Sequence, residues 1–123
     1  MHSDVKKEGK EMSEKIITVT AENFEKEVVQ SGLPVLLDFW APWCVYCRRI
    51  EPAVEELSED TQGKLVIGKV NVDEQPGLAD QFGVETIPSL ILFKGGEQAG
   101  EELIAPGSRD AIEEWLEDNG IEF

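Results

Sequence analysis

Cys44 and Cys47 are the only cysteines in the chain, and just Val45 and Tyr46 stand between them. A pair at this spacing can close on itself as a disulfide. When open, it offers one thiol to attack a foreign disulfide and a second to release the mixed intermediate. Other chemistries fit less well. A structural disulfide framework needs several cysteines spread along the chain. A zinc site normally takes four Cys or His ligands, and the single histidine is His2 at the N-terminus. Two inert cysteines buried on an amphipathic helix, or a metal site shared with a second subunit, are the remaining alternatives. The setting favours exchange chemistry, because the pair sits in the segment WAPWCVYC, residues 40–47, at the junction of an apolar run and a helical pattern.

That junction is built by the elements on either side. Residues 34–40 (PVLLDFW) form a nearly continuous apolar run of strand length, the pattern of a strand covered on both faces. From Cys44 onward, Cys44, Cys47, Ile50, Val54 and Leu57 recur at intervals of three and four, which predicts a helix to about Thr61. Pro52 falls inside that helix and predicts a kink near Arg48. At the helix start, unpaired amides and the helix dipole favour negative charge, so Cys44 should lose its proton readily. Cys47, on the same face one turn in, is within reach to resolve. The sequence places Cys44 at the exposed tip and Cys47 against the first turn, so Cys44 is the expected nucleophile.

Ile16–Val19 reads as a short strand, with Thr20 as the cap of a helix carrying Phe24, Val28 and Val29 and ending at Ser31 and Gly32. Leu65–Val72 reads as a second buried strand, and Pro76–Phe82 as a short helix opened by proline. Ser89–Phe93 and Gln98–Ile104 bracket Lys94–Glu97 (KGGE), a hairpin turn signal. Ser108 caps a last helix with Ile112, Trp115 and Leu116 inward, closed by Asn119 and Gly120. The order β-α-β-α-β-α-β-β-α predicts an α/β domain with a central mixed sheet flanked by helices on both faces.

Asp38 is an acid in the middle of an apolar strand. A buried carboxyl without full pairing has a raised pKa and can exchange a proton near neutrality. Trp43, beside the nucleophile, suits a contact surface, and Trp40 suits packing beneath it. Arg48 and Arg49 are either solvated helix charge or a source of positive potential near Cys44. An X-Pro bond such as Ile87–Pro88 is trans by default.

With 123 residues, 41% hydrophobic and 30% charged, the chain has the makings of one globular domain. A formal net charge of −15 argues against nucleic acid or an anionic membrane as partner. No apolar stretch approaches the roughly 20 residues needed to span a bilayer. Residues 1–14 read as a disordered lead-in and 15–123 as the domain, with Met12 a candidate natural start. The lead-in lacks the apolar core of a signal peptide, which suggests a cytoplasmic protein.

The segment LDFWAPWCVYC, residues 37–47, resembles the active-site region of the thioredoxin family. Thr86–Ser89 (TIPS) is similar to the family's loop opposite the cysteines, and Lys94–Glu97 to its hairpin; the resemblance runs from about Ile16 to Gly120. It implies the thioredoxin fold and reduction of protein disulfides, with Cys44 attacking and Cys47 resolving. It puts Asp38 behind Cys47, assisting its deprotonation, and makes Lys69 the lysine that accompanies this acid, a buried Asp–Lys pair being the structural alternative. It implies a cis Ile87–Pro88 bond facing Cys44, with the Ile87 backbone free for an extended substrate; Trp43 by its place beside the nucleophile, and Tyr46 by adding an aromatic hydroxyl to the rim, are the expected side-chain contacts. No metal or bound cofactor is implied beyond the redox-active Cys44–Cys47 disulfide, which a thioredoxin reductase-type donor would recharge, and the chain is expected to be a monomer. Two positions depart from the family: Val45-Tyr46 stands where Gly-Pro is typical, and Ala105, or else Gly107, takes the place of a glycine after the last strand. The first departure leaves room for an oxidase- or isomerase-like member, since a small change in local stability alters the direction of electron flow. A redox-inactive binding module is the rival of another class, and a metal-binding dimer the last.

Overall fold

The computed structural model describes residues 16–122, so the expected lead-in over residues 1–14 lies outside the described residues. The sheet is built from β1 (Ile16–Thr18), β2 (Val35–Trp40), β3 (Val66–Asn71), β4 (Ser89–Lys94), β5 (Glu97–Gln98) and β6 (Leu103–Ile104). Its order is β1-β3-β2-β4-β5, with β6 also paired to β4. β1, β3 and β2 run parallel, while β4 is antiparallel to β2, as β5 and β6 are to β4. The sheet is therefore mixed, as the element order predicts.

Three helices and one short π-helical segment cover it: Glu25–Val29 (π), α1 (Val45–Asp60), α2 (Pro76–Gln81) and α3 (Arg109–Asp118). Successive β2 residues point to opposite faces. Leu36 joins Ile50, Val54 and Leu57 of α1 and Ile112 and Leu116 of α3 in one buried cluster. Val35, Leu37 and Phe39 join Val28 and Leu78 in the other. The apolar run of β2 is thus explained by cover on both sides. Arg109 ties α3 to α1, its guanidinium lying 2.7 Å from Asp60 and 3.4 Å from Glu56. Ser108 caps α3 through the Ala111 amide at 3.2 Å. Pro52 lies within α1 without ending it.

Two elements differ from the sequence expectation. The helix after Thr20 shrinks to the π-helical turn. Thr20 and Asn23 bond each other's side chains and amides, at 2.8 and 3.3 Å, and so hold a separate turn before it. The Gln30 amide then reaches back five residues to Glu25 at 2.9 Å. So short a segment has little helical stability of its own and takes its shape from packing, with the Phe24 ring 5.5 Å from Phe82 and 5.9 Å from Phe93. The second arm of the hairpin is also broken, into β5 and β6. Gly100, at φ +76°, turns the chain out of the ladder, and the Trp115 indole takes the Glu101 carbonyl at 3.0 Å. The turn itself is as expected, with Gly95 and Gly96 both at positive φ.

Candidate active site

The site starts where β2 ends. Four residues after Trp40, Cys44 takes an extended conformation (φ −86°, ψ 106°) and serves as the N-cap of α1. Its sulfur stands where a capping oxygen usually would, and accepts the Cys47 amide at 3.1 Å. That amide is one of the orphan donors of a helix start, so the helix backbone itself stabilises charge on this sulfur. The Cys44 and Cys47 sulfurs are bonded as a disulfide.

Burial does not separate the two cysteines as the sequence suggested: Cys44 is 6% exposed and Cys47 5%. Position separates them instead. Cys44 is the cap and lies 4.0 Å from the Ile87 carbonyl oxygen, whereas Cys47 is the third residue past the cap, inside the first turn. Both pack with Ala41, against Trp40, Val72 and Ile87.

The Ile87–Pro88 bond is cis. The Pro88 carbonyl accepts the Ala105 amide at 2.8 Å, which brings the loop after β6 alongside. Ala105 directly follows β6 and sits at φ +50°, a left-handed conformation that favours glycine. Trp43 is 65% exposed, with its indole N–H donating to Asp73 at 2.9 Å. Tyr46 is partly exposed, its hydroxyl within about 4 Å of where a side chain on Gly107 would begin. Val45 and Ile104 add further exposed apolar surface. Ile104 is paired across the ladder with Ser89, the residue after Pro88, a placement that only the strand register reveals. Arg48 folds back, its guanidinium donating to the Pro42 carbonyl at 3.3 Å.

Asp38, in the middle of β2, is 2% exposed, and its Oδ1 has no hydrogen-bond partner. Burial pushes its pKa up to about 7; Lys69 opposes the rise and Glu51 adds to it. Lys69 lies directly across the parallel ladder from Asp38. Its ammonium nevertheless binds Glu51, at 2.6 Å, and sits 4.4 Å from the Trp40 ring centre. The buried Asp38–Lys69 ion pair considered from the sequence is therefore replaced by a Lys69–Glu51 pair. Glu51 escaped sequence reasoning, though its spacing of four from Cys47 puts it on the same side of α1 one turn later.

A cavity of about 390 Å³ opens at the edge of the sheet, lined by Ile16, Ile17, Thr18, Glu55, Ser58, Glu59 and Lys69. It excludes both cysteines. A disulfide presented to macromolecular substrates needs an approachable surface rather than a deep pocket, so the chemistry is assigned to the Cys44 surface.

Comparison with known proteins points the same way. A family model described as thioredoxin matches residues 15–118. A thioredoxin from Rickettsia bellii is 42% identical over 101 residues, spanning 82% of this chain and 95% of its own. Thioredoxin 1 from a Nostoc species is 49% identical over 80 residues, covering 65% of this chain and 75% of its own. A Synechocystis thioredoxin is 48% identical over the same shares of the two chains.

Proposed function

The chain belongs to the thioredoxin family and is a thiol–disulfide oxidoreductase that reduces protein disulfides; on that premise we propose how its residues divide the work. The Cys44 thiolate attacks one sulfur of a substrate disulfide, and the other substrate sulfur leaves as a thiolate and takes up a proton. Cys47 then gives its proton to the Asp38 carboxylate and attacks the Cys44 sulfur. The second substrate sulfur leaves, and the Cys44–Cys47 disulfide forms. The substrate gains two electrons and two protons in all. A reductase-type donor returns the protein to its dithiol form.

The observation that carries this assignment is the Cys44 sulfur at the N-cap of α1, bonded by the Cys47 amide and facing the Ile87 carbonyl. Placement at the cap favours Cys44 as the thiolate, and placement one turn in favours Cys47 as the resolving group. Asp38 suits the proton acceptor because a carboxyl titrating near 7 matches the task of a base at neutral pH. Lys69 tempers the charge on that acid. The Ile87 main chain takes part in none of the main-chain hydrogen bonds among the described residues, which suits pairing with an extended substrate segment. Pro88 holds that edge, and Trp43 and Tyr46 supply contact area beside it. Residues 15–123 would then form the catalytic domain, working in the cytoplasm, where thiols are kept reduced.

Replacing the sulfurs one at a time tests the division. Cys44→Ser should reduce insulin disulfides at no more than about one-thousandth of the wild-type rate. Cys47→Ser should complete the first step and accumulate a mixed disulfide visible by mass spectrometry. Undiminished turnover by Cys44→Ser would overturn the nucleophile assignment.

A further inference from the structure

Lys69 has two carboxyls within the reach of its neighbourhood and binds only one. Asp38 is its direct partner across the ladder, yet the ammonium lies 2.6 Å from Glu51, while Asp38 Oδ1 stays without a partner. Solvation explains the choice. Glu51 is 39% exposed, so an ion pair there keeps much of its water, whereas a pair at Asp38 would bury both charges.

We propose that Glu51 is a positioning residue for the proton transfer: by holding the Lys69 ammonium it keeps that cation from pairing with Asp38, and so leaves the Asp38 carboxyl free to take and return the proton of Cys47. This rests on the role given above to Asp38. The electrostatic surroundings are simple enough to make the idea specific. Lys69 on β3 and Glu51 on α1 are the charged groups acting on Asp38, and the disulfide-bonded Cys47 of α1 carries no charge. Across the ladder on β4 stands Leu90, and α3 contributes Ile112 and Leu116 to the same face. Glu55 and Glu59 of α1 line the cavity beside Lys69 but are not among the charges that shift Asp38. A fully paired Asp38 would be too weak a base to accept a thiol proton, and an Asp38 without Lys69 nearby would stay protonated too far up the pH scale.

Glu51→Gln keeps the length of the side chain and its acceptor oxygen but removes the negative charge. The Lys69 ammonium is then no longer neutralised, and its field favours the Asp38 carboxylate. The midpoint of Asp38 should fall by about one pH unit or more, a tenfold change in proton affinity. Lys69→Met should move it the opposite way. The carboxyl ¹³C signal of Asp38, titrated in the oxidised protein, reads the midpoint directly. The pH profile of the resolving step, followed in single turnovers, should shift with it. A merely structural ion pair at the surface would move neither. An unmoved or raised Asp38 midpoint in Glu51→Gln overturns the proposal. So does a lowered midpoint with an unshifted resolving step, provided Asp38→Asn does alter that step. If Asp38→Asn leaves the resolving step unchanged, the role of Asp38 itself fails, and the titration still decides whether Glu51 governs its proton affinity.

Discussion

Asp38 shows how much one buried carboxyl can weigh on the folded state. Its ordinary midpoint near 3.8 rises to about 7 on folding. Between those values the folded chain binds a proton that the unfolded chain has released, so stability falls as pH rises through this window. Below about pH 4 both states are protonated and the effect vanishes. The loss is complete above about pH 8 and is on the order of a few kcal/mol. Urea unfolding at pH 4, 6 and 8 should show that decline in the wild type, and Asp38→Asn should lack it; a decline of equal size in the variant would refute the cause. Asp38 was legible in the sequence because an acid in an apolar strand is an anomaly. Glu51 was not, because a glutamate on an amphipathic helix looks like every other solvated charge. Its meaning comes from Lys69, which lies 18 positions along the chain, and only the assembled sheet and helix bring the two together.

At the scale of elements, the strands and long helices followed from periodicity, capping and turn signals. Ser108 at the start of α3 and the two glycines after Lys94 are each where local chemistry puts them. What the sequence did not reveal was tertiary override. The π-helical turn and the broken hairpin arm are both short pieces whose shape is set by neighbours, the aromatic rings in one case and Trp115 in the other. The closest tolerance in the sheet lies at Gly68 of β3. A methyl group there would stand 2.7 Å from Val19 Cγ2 and 3.0 Å from Leu37 Cδ2. Gly68→Ala should therefore cost about 1–3 kcal/mol through overpacking between the sheet and the segment after β1. Denaturant midpoints compare the two proteins, and an equally stable variant would show that this region yields more easily than its contacts imply.

Across the whole molecule, a charge of −15 gives the protein a long-range preference that the cysteines alone would not have. Peptide disulfides flanked by lysines should be reduced about tenfold faster than those flanked by glutamates at low ionic strength. The preference should collapse near 1 M salt, where charges farther apart than about 3 Å are screened. Comparison of kcat/KM for the two peptides across that range checks it, and a salt-independent ratio would mean that local contacts alone choose substrates. The strand order has a consequence of another kind, in time. β2 lies between β3 and β4, both of which come later in the chain, and β1 also pairs with β3. On a ribosome, Cys47 emerges 47 positions before Lys94, the end of β4. At ~5–20 residues per second, the two cysteines wait roughly two to nine seconds for that wall of their site. During that interval they are ordinary thiols on an open chain, and the chemistry encoded early in the sequence is among the last things the finished protein acquires.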